Sequence, residues 1–112
     1  MEEKMTPEHQ RCKEYLQTRR GKELIASAGH ISLLLGIPER RIRTIVRDLR
    51  RDGCPIGSSM GNPSGYWWAT RPEELVDTIK SLRALATDML VTQRAMERCY
   101  MTFGGQLELL DP

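Results

Sequence analysis

The chain has 112 residues, which suits one domain with an accessory helix and is too short for a substrate domain beside a cofactor domain. Hydrophobic residues make up 39% and charged residues 29% of the chain, a composition typical of globular rather than disordered proteins. The 17 basic and 15 acidic residues leave a formal net charge of only +2, so any functional charge must be concentrated locally.

The sequence contains no candidate membrane span. Of its two longest uncharged segments, 24–38 is too short to cross a bilayer and 53–70 is rich in Gly, Ser and Pro. The starting Met-Glu-Glu-Lys lacks the basic first residues and apolar core of a secretory signal. We therefore expect a cytoplasmic protein.

Neither a metal site nor a disulfide framework is indicated. Cys12, Cys54 and Cys99 lie about forty residues apart without a Cys-x-x-Cys pair, and the only histidines are His9 and His30. Zinc sites need clustered ligands, and disulfide frameworks use even numbers of cysteines. There is also no glycine-rich phosphate loop. We expect no cofactor and no enzyme activity.

The N-terminal third begins with a helix signal. Thr6 and Pro7 are typical of an N-cap and a first helical residue, so the sequence predicts a helix to about Arg19, ended by Gly21. The apolar run 24–26 could pair as a short edge strand.

Two further helices follow, separated by a glycine turn. Ser27 is a suitable N-cap for a helix over 28–35, which Gly36 ends. A third helix is predicted over 38–52, ended by Gly53. The pattern is helix, turn, helix.

The third helix has one apolar side and one basic side. Its apolar residues share a sector of about 100°: Ile42, Ile45, Val46 and Leu49. The opposite side contains Arg40, Arg43, Arg47, Arg50 and Arg51, with Thr44 among them. Segment 38–53 has six basic and three acidic residues, and hence a charge of +3. We favour an anion-binding face over a merely solvated one.

A hairpin and a long helix complete the chain. Strands are predicted at 54–58 and 66–69, joined by a Gly-, Pro- and Asn-containing loop. Trp67 and Trp68 must point to opposite faces, so at most one of them lies fully in the core.

The last helix, capped by Thr70, is predicted to reach Phe103, and Gln93 is the one polar residue of its heptad seam. The predicted oligomerisation residues of this seam are Ile79, Leu82, Ala86, Met89 and Met96. A helix of roughly 45 Å exceeds what a small domain covers, which favours contact with another chain. Packing back over the same domain is the alternative.

Residues 25–69 resemble the winged helix-turn-helix proteins encoded by bacteriophages and prophages. The similar residues are Arg40-x-Ile42-Arg43-x-x-Val46-x-x-Leu49-Arg50-x-x-Gly53-x-Pro55-Ile56 and Gly65-Tyr66-x-x-Ala69. The expected fold is mainly α with a small β-hairpin: a winged helix-turn-helix over 1–70, a long C-terminal helix over 71–103 and a flexible tail over 104–112.

This resemblance implies binding to double-stranded DNA, with helix 38–52 in the major groove. By position, the groove-facing set comprises Glu39, Arg40, Arg43, Thr44 and Arg47. Arg50 and Arg51 lie farther along and suit phosphates, or an internal bridge to Asp48 or Asp52. The wing departs from the family because it has no charged residue, so we expect it to contribute little. A transcription regulator and a replication accessory factor are both compatible, and a pure protein-interaction module is the alternative.

The tail carries a second resemblance. Gln106-Leu107-Glu108-Leu109-Leu110 is similar to the peptide by which bacterial replication proteins dock on the sliding clamp. It departs at Glu108, where Ser or Asp is usual, and at Leu110, where Phe is usual. The resemblance implies that Gln106, Leu107, Leu109 and Leu110 bind the clamp, so clamp docking is a further expectation.

Overall fold

A computed structural model describes residues 5–104. Its helices and strands, in chain order, are α1 (Pro7–Leu16), α2 (Ala28–Leu35), α3 (Glu39–Arg51), β1 (Ile56–Ser59), β2 (Gly65–Trp68) and α4 (Val76–Thr102). Short 3₁₀ turns occupy Lys22–Leu24 and Pro72–Leu75. The predicted class, mainly α with a small β-hairpin and a long C-terminal helix, is confirmed.

The described residues form two compact units, 5–78 and 79–104. The first unit therefore extends beyond residue 70, where the sequence placed the end of the first domain, because it includes the start of α4. None of the helices within residues 5–104 is both long enough and apolar enough to cross a membrane.

Helix α1 begins as predicted but ends early. Thr6 accepts a hydrogen bond from the His9 backbone, and the His9 ring accepts one from the Thr6 N–H, which completes a capping box. The helix stops at Leu16 rather than near Arg19. Both the N–H and the hydroxyl of Thr18 donate to the Tyr15 carbonyl, at 2.9 and 2.6 Å. These bonds close a tight turn in place of another helical turn.

The chain after α1 follows strand β2 instead of forming a strand of its own. The Trp68 N–H donates to the Arg19 carbonyl at 2.7 Å, and the Gly21 N–H donates back to Trp68 at 2.9 Å. The edge strand considered at 24–26 is reduced to one bridge, in which Ala26 and Tyr66 exchange two bonds of 2.8 Å.

Helices α2 and α3 meet at the predicted glycine turn. Ser27 caps α2 by accepting from the His30 N–H at 3.0 Å. Gly36 ends α2 with φ of 68°, a left-handed conformation that suits glycine. Ile37, the apolar residue inside the turn, is buried in the core, so the turn itself contributes to the packing of α2 and α3.

The core lies between the three N-terminal helices and the hairpin. Its buried members are Cys12, Leu16, Ala26, Ile31, Ile37, Ile42, Ile45, Val46, Leu49 and Ile56. Tyr66 and Trp68 pack against this core from one face of β2. Trp67, on the opposite face, is the more deeply buried tryptophan and is only 2% exposed. Its indole lies against Gly57 of β1, where an added Cβ would be 2.5 Å from the ring.

Glu74 links the two 3₁₀ turns. The N–H groups of Thr70 and Lys22 donate to its carboxylate at 2.7 and 3.0 Å. Thr70 was predicted to cap the last helix; instead its hydroxyl also donates to Glu74, while the N-cap position falls on Arg71. These backbone hydrogen bonds lower the pKa of Glu74 from its ordinary value of 4.5.

We expect Glu74→Gln to reduce the acid sensitivity of the fold. Because the folded state favours the carboxylate, its stabilisation is complete above the ordinary pKa of 4.5 and is lost as the pH falls through the lower folded pKa. The free energy of unfolding, measured by urea denaturation from about pH 6 to about pH 3, should therefore fall less steeply in the variant. Equal slopes would contradict this assignment.

Thr78 fixes the start of α4 within the first unit. Its buried hydroxyl accepts from the Ser58 N–H at 3.0 Å and donates to the Ser58 carbonyl at 3.3 Å. The N–H and the carbonyl of Ser58 have no partner within the two-stranded sheet. Thr78 satisfies both of these backbone groups.

Candidate nucleic-acid interface

The apolar side of α3 fixes which of its residues face outward. Ile42, Ile45, Val46 and Leu49 are all buried, as the periodicity predicted. The helix cannot rotate about its axis without exposing these four side chains. Its opposite side is therefore presented outward by a rigid support, which is what a recognition surface requires.

The first two arginines of this side are available to a ligand. Arg40 is exposed, and no hydrogen bond or ion pair engages its guanidinium within the part of the chain that the structure describes. The Arg43 guanidinium lies 3.7 Å from the Glu39 carboxylate, and their side chains are 64% and 52% exposed. Such an exposed pair is weak, so an anionic ligand can displace Glu39 from Arg43.

The Arg47 guanidinium is held more firmly than those of Arg40 and Arg43. Its guanidinium donates to Oδ1 of Asp48 at 3.0 and 3.3 Å, although the Arg47 side chain is 54% exposed. Asp48 is itself buried. Arg47 is therefore an exposed cation with a restrained position, and less side-chain entropy is lost when it binds.

Thr44 and Arg51 complete the predicted set. Thr44 is half-buried and its hydroxyl donates to the Arg40 carbonyl at 3.3 Å, so its oxygen can still accept a hydrogen bond. Arg51 is exposed in the last turn of α3. The structure thus places Arg40, Arg43, Thr44, Arg47 and Arg51 on one helix, with the four arginines exposed and Thr44 partly so.

Arg50 does not belong to the exposed face. Its Nε donates to the Ile56 carbonyl and its Nη2 to the Ser58 hydroxyl, each at 2.9 Å, and its guanidinium lies 5.9 Å from the centre of the Tyr66 ring. Burial lowers the pKa of Arg50 from its ordinary value. Arg50 therefore does not form the internal bridge to Asp48 or Asp52 that the sequence suggested; it joins α3 to the hairpin instead.

We expect Arg50→Ala to lower the free energy of unfolding by about 2 kcal/mol, because it removes two hydrogen bonds from a charged donor and leaves the Ile56 carbonyl unpaired. Arg40→Ala, which loses the same charge without a bond, should change it by less than about 0.5 kcal/mol. Urea denaturation of the two variants measures the difference. An equally small effect in both would show that Arg50 does not brace the hairpin.

The hairpin loop offers hydrogen bonds but no charge. No charged residue occurs between Asp52 and Arg71. Met60 at its tip is 92% exposed, and Asn62 and Ser64 are exposed beside it. A limited contribution of this loop to DNA affinity stays a prediction, because neutral groups release no counterions.

A buried histidine supports the interface from behind. His9 of α1 is 2% exposed, and its Nε2 lies 2.8 Å from Oδ2 of Asp48 in α3. The Thr6 N–H donates to Nδ1 at 3.1 Å, so we assign the proton to Nε2, which donates to Asp48. Sequence reasoning missed this pair. The Thr6-x-x-His9 spacing of a capping box was the one available signal, and it does not reveal Asp48.

Burial disfavours the thiolate form of two cysteines, Cys12 and Cys54. Burial raises the pKa of Cys12 to about 11 and also raises that of Cys54, whereas a nucleophilic thiol needs a lowered value. Cys99 is exposed. Among residues 5–104 no group of three or more His, Cys, Asp or Glu is placed to hold a metal ion.

The predicted oligomerisation residues lie on α4, in the second unit. Ile79, Leu82, Ala86, Met89 and Met96 are all exposed in the single chain, the four larger ones by 47–71%. Exposed apolar side chains of this size along one helix are typical of an unfilled interface.

The predicted clamp-binding residues Gln106, Leu107, Leu109 and Leu110 lie outside the described residues. Their role stays a prediction from the sequence.

Comparison with known proteins found no relative. No protein-family model matches the chain, and neither the curated proteins nor the solved structures contain a significant match.

Proposed function

We propose that this protein binds double-stranded DNA by placing α3 in the major groove, in the manner of a winged helix-turn-helix protein. The observation that carries the proposal is the row of exposed arginines on α3, formed by Arg40, Arg43, Arg47 and Arg51. The buried opposite side of the same helix holds this row in a fixed direction.

The shape and chemistry of this face suit DNA. A major groove about 12 Å wide admits one α-helix with its side chains. Arg40, Arg43 and Thr44 lie in the N-terminal half of α3, which is the part of a recognition helix that meets base edges. An arginine can bind O6 and N7 of guanine through two hydrogen bonds, and Arg51 in the last turn suits a phosphate.

The exposed seam of α4 supports a dimeric assembly. A dimer supplies two copies of α3, which suits a site with two-fold symmetry. We propose a phage-type regulator of transcription or a replication accessory factor. If the clamp-binding prediction for residues 106–110 is correct, the accessory role is favoured.

Salt-dependent binding to DNA tests this proposal. If each of the four exposed arginines neutralises one phosphate, a dimer makes eight contacts, and log K should fall with log salt with a slope of about −7. Fluorescence polarisation with a labelled random duplex over a range of salt concentrations measures this slope. Absence of binding at low salt would overturn the DNA proposal and favour a protein-interaction module.

A further inference from the structure

We infer that the second copy of this chain docks on α4 in the antiparallel direction, with a two-fold axis beside Val91. This inference rests on the proposed dimer and adds its orientation and register. Its basis lies within the second unit, where the side chains of residues 79–94 are all exposed.

The sizes of the seam residues fit this register. At the same heptad spacing the seam continues to Tyr100 and Phe103. An antiparallel pair centred on Val91 lets every seam residue from Ile79 to Phe103 meet another seam residue. The layers are Ile79 with the partner's Phe103, Leu82 with the partner's Tyr100, Ala86 with the partner's Met96, and Met89 with the partner's Gln93. The smallest side chain, Ala86, thus receives the long and adaptable Met96 of the partner subunit. A parallel pair would instead place Ala86 against its own copy and leave a gap there.

The charged residues beside the seam also fit the antiparallel register. Arg83 and Glu97 occupy equivalent positions of two heptads, next to the seam. Neither makes an ion pair within residues 5–104. In the antiparallel register Arg83 faces Glu97 of the partner subunit, and symmetry repeats the pair. In a parallel pair the same positions face Thr78 and Thr92 of the other copy, which carry no charge.

The polar seam residue is accommodated near the axis. Gln93 lies two residues from Val91, so the two Gln93 side chains are about 6 Å apart along the helix axes. Their amides can therefore hydrogen-bond across the axis instead of being buried without a partner. Leu90, which is 48% exposed in the single chain, shares the heptad position of Arg83 and Glu97, meets its own copy between the two ion pairs and widens the apolar contact.

Cysteine pairing distinguishes the two directions without using DNA. In a Cys99→Ser background, which removes the exposed thiol, we would prepare Ala86→Cys, Met96→Cys and the double variant. Two copies of Ala86 are about 15 Å apart along an antiparallel pair, beyond the reach of a disulfide, whereas Ala86 lies opposite the partner's Met96. Oxidation should therefore cross-link neither single variant, but should cross-link their mixture and the double variant, as seen on a non-reducing gel.

Charge reversal is the second measurement. Arg83→Glu and Glu97→Arg should each weaken the dimer about tenfold in sedimentation equilibrium, because each creates two like-charge contacts. The double variant should return to within about twofold of the wild type. Cross-linking of either single variant, or additive losses in the double variant, would overturn the antiparallel register. A monomeric wild type without cross-linking in the mixture would overturn the docking of a second copy. Because DNA binding through α3 is measured separately, either failure is distinguishable from failure of the proposed function.

Discussion

Arg43→Ala/Arg47→Ala should bind a random DNA duplex at least about 100-fold more weakly than the wild type at the same low salt concentration. Both guanidinium groups lie on the exposed side of α3, and their existing partners are an exposed glutamate and a neighbouring aspartate. Binding to a random duplex depends on phosphate contacts, and a dimer of this variant loses four arginines that can make them. The slope of log K against log salt should become less negative by about 3.6, because each of the four lost phosphate contacts accounts for about 0.9.

The matched control for this variant is Arg94→Ala/Arg98→Ala. It removes the same two charges from α4, at exposed positions outside the predicted seam. If binding depends on α3, the control should keep its affinity within about threefold and nearly keep its salt slope, since exposed charges that do not contact the DNA are screened at moderate salt. Equal losses in the two double variants would show that DNA responds only to net charge, and the recognition role of α3 would be wrong.

Much of this site could be predicted because α3 is strongly amphipathic. Four branched apolar residues at helical spacing leave one way to bury the helix, so the exposure of Arg40, Arg43 and Arg47 follows from the periodicity. The DNA role of these arginines is not settled by that exposure and stays a proposal. Periodicity gives the direction in which a side chain leaves the helix, and says nothing about where a long side chain ends.

Arg50 shows this limit. It shares the basic side of α3 on a helical projection, yet its guanidinium reaches the Ile56 carbonyl and the Ser58 hydroxyl of the hairpin. The hairpin begins soon after α3 ends, and the flexible side chain of Arg50 spans the gap between them. Such a contact depends on tertiary placement, which local sequence patterns do not specify.

The path of residues 19–26 could not be predicted for a related reason. An apolar run at 24–26 favours a strand locally, but β2 offers only a few free backbone groups. Arg19 and Gly21 bond to Trp68, and Ala26 bonds to Tyr66, while the intervening residues close a 3₁₀ turn. Competition for the edge of β2 therefore decides the local structure, and tertiary pairing overrides propensity.

Asp48→Ala should lower the free energy of unfolding by about 3 kcal/mol, the largest effect that we expect from a single charged residue. The buried Asp48 carboxylate accepts from His9 Nε2 at 2.8 Å and from the Arg47 guanidinium at 3.0 Å. Its removal leaves the His9 N–H buried without this acceptor, and a buried group that loses a charged partner costs about 1.5–3 kcal/mol. The adjacent loss of packing between α1 and α3 adds to this cost.

Asp52→Ala is the control, because it removes the same charge from the exposed C-cap of the same helix. It should change the free energy of unfolding by less than about 0.5 kcal/mol. A double-mutant cycle with His9→Ala then separates the His9–Asp48 contact from the contribution of Arg47. Since the contact joins α1 to α3, a coupling energy near zero would mean that packing alone holds the arginine face in place. A coupling of about 2 kcal/mol would show that the buried pair fixes the direction in which α3 presents its arginines.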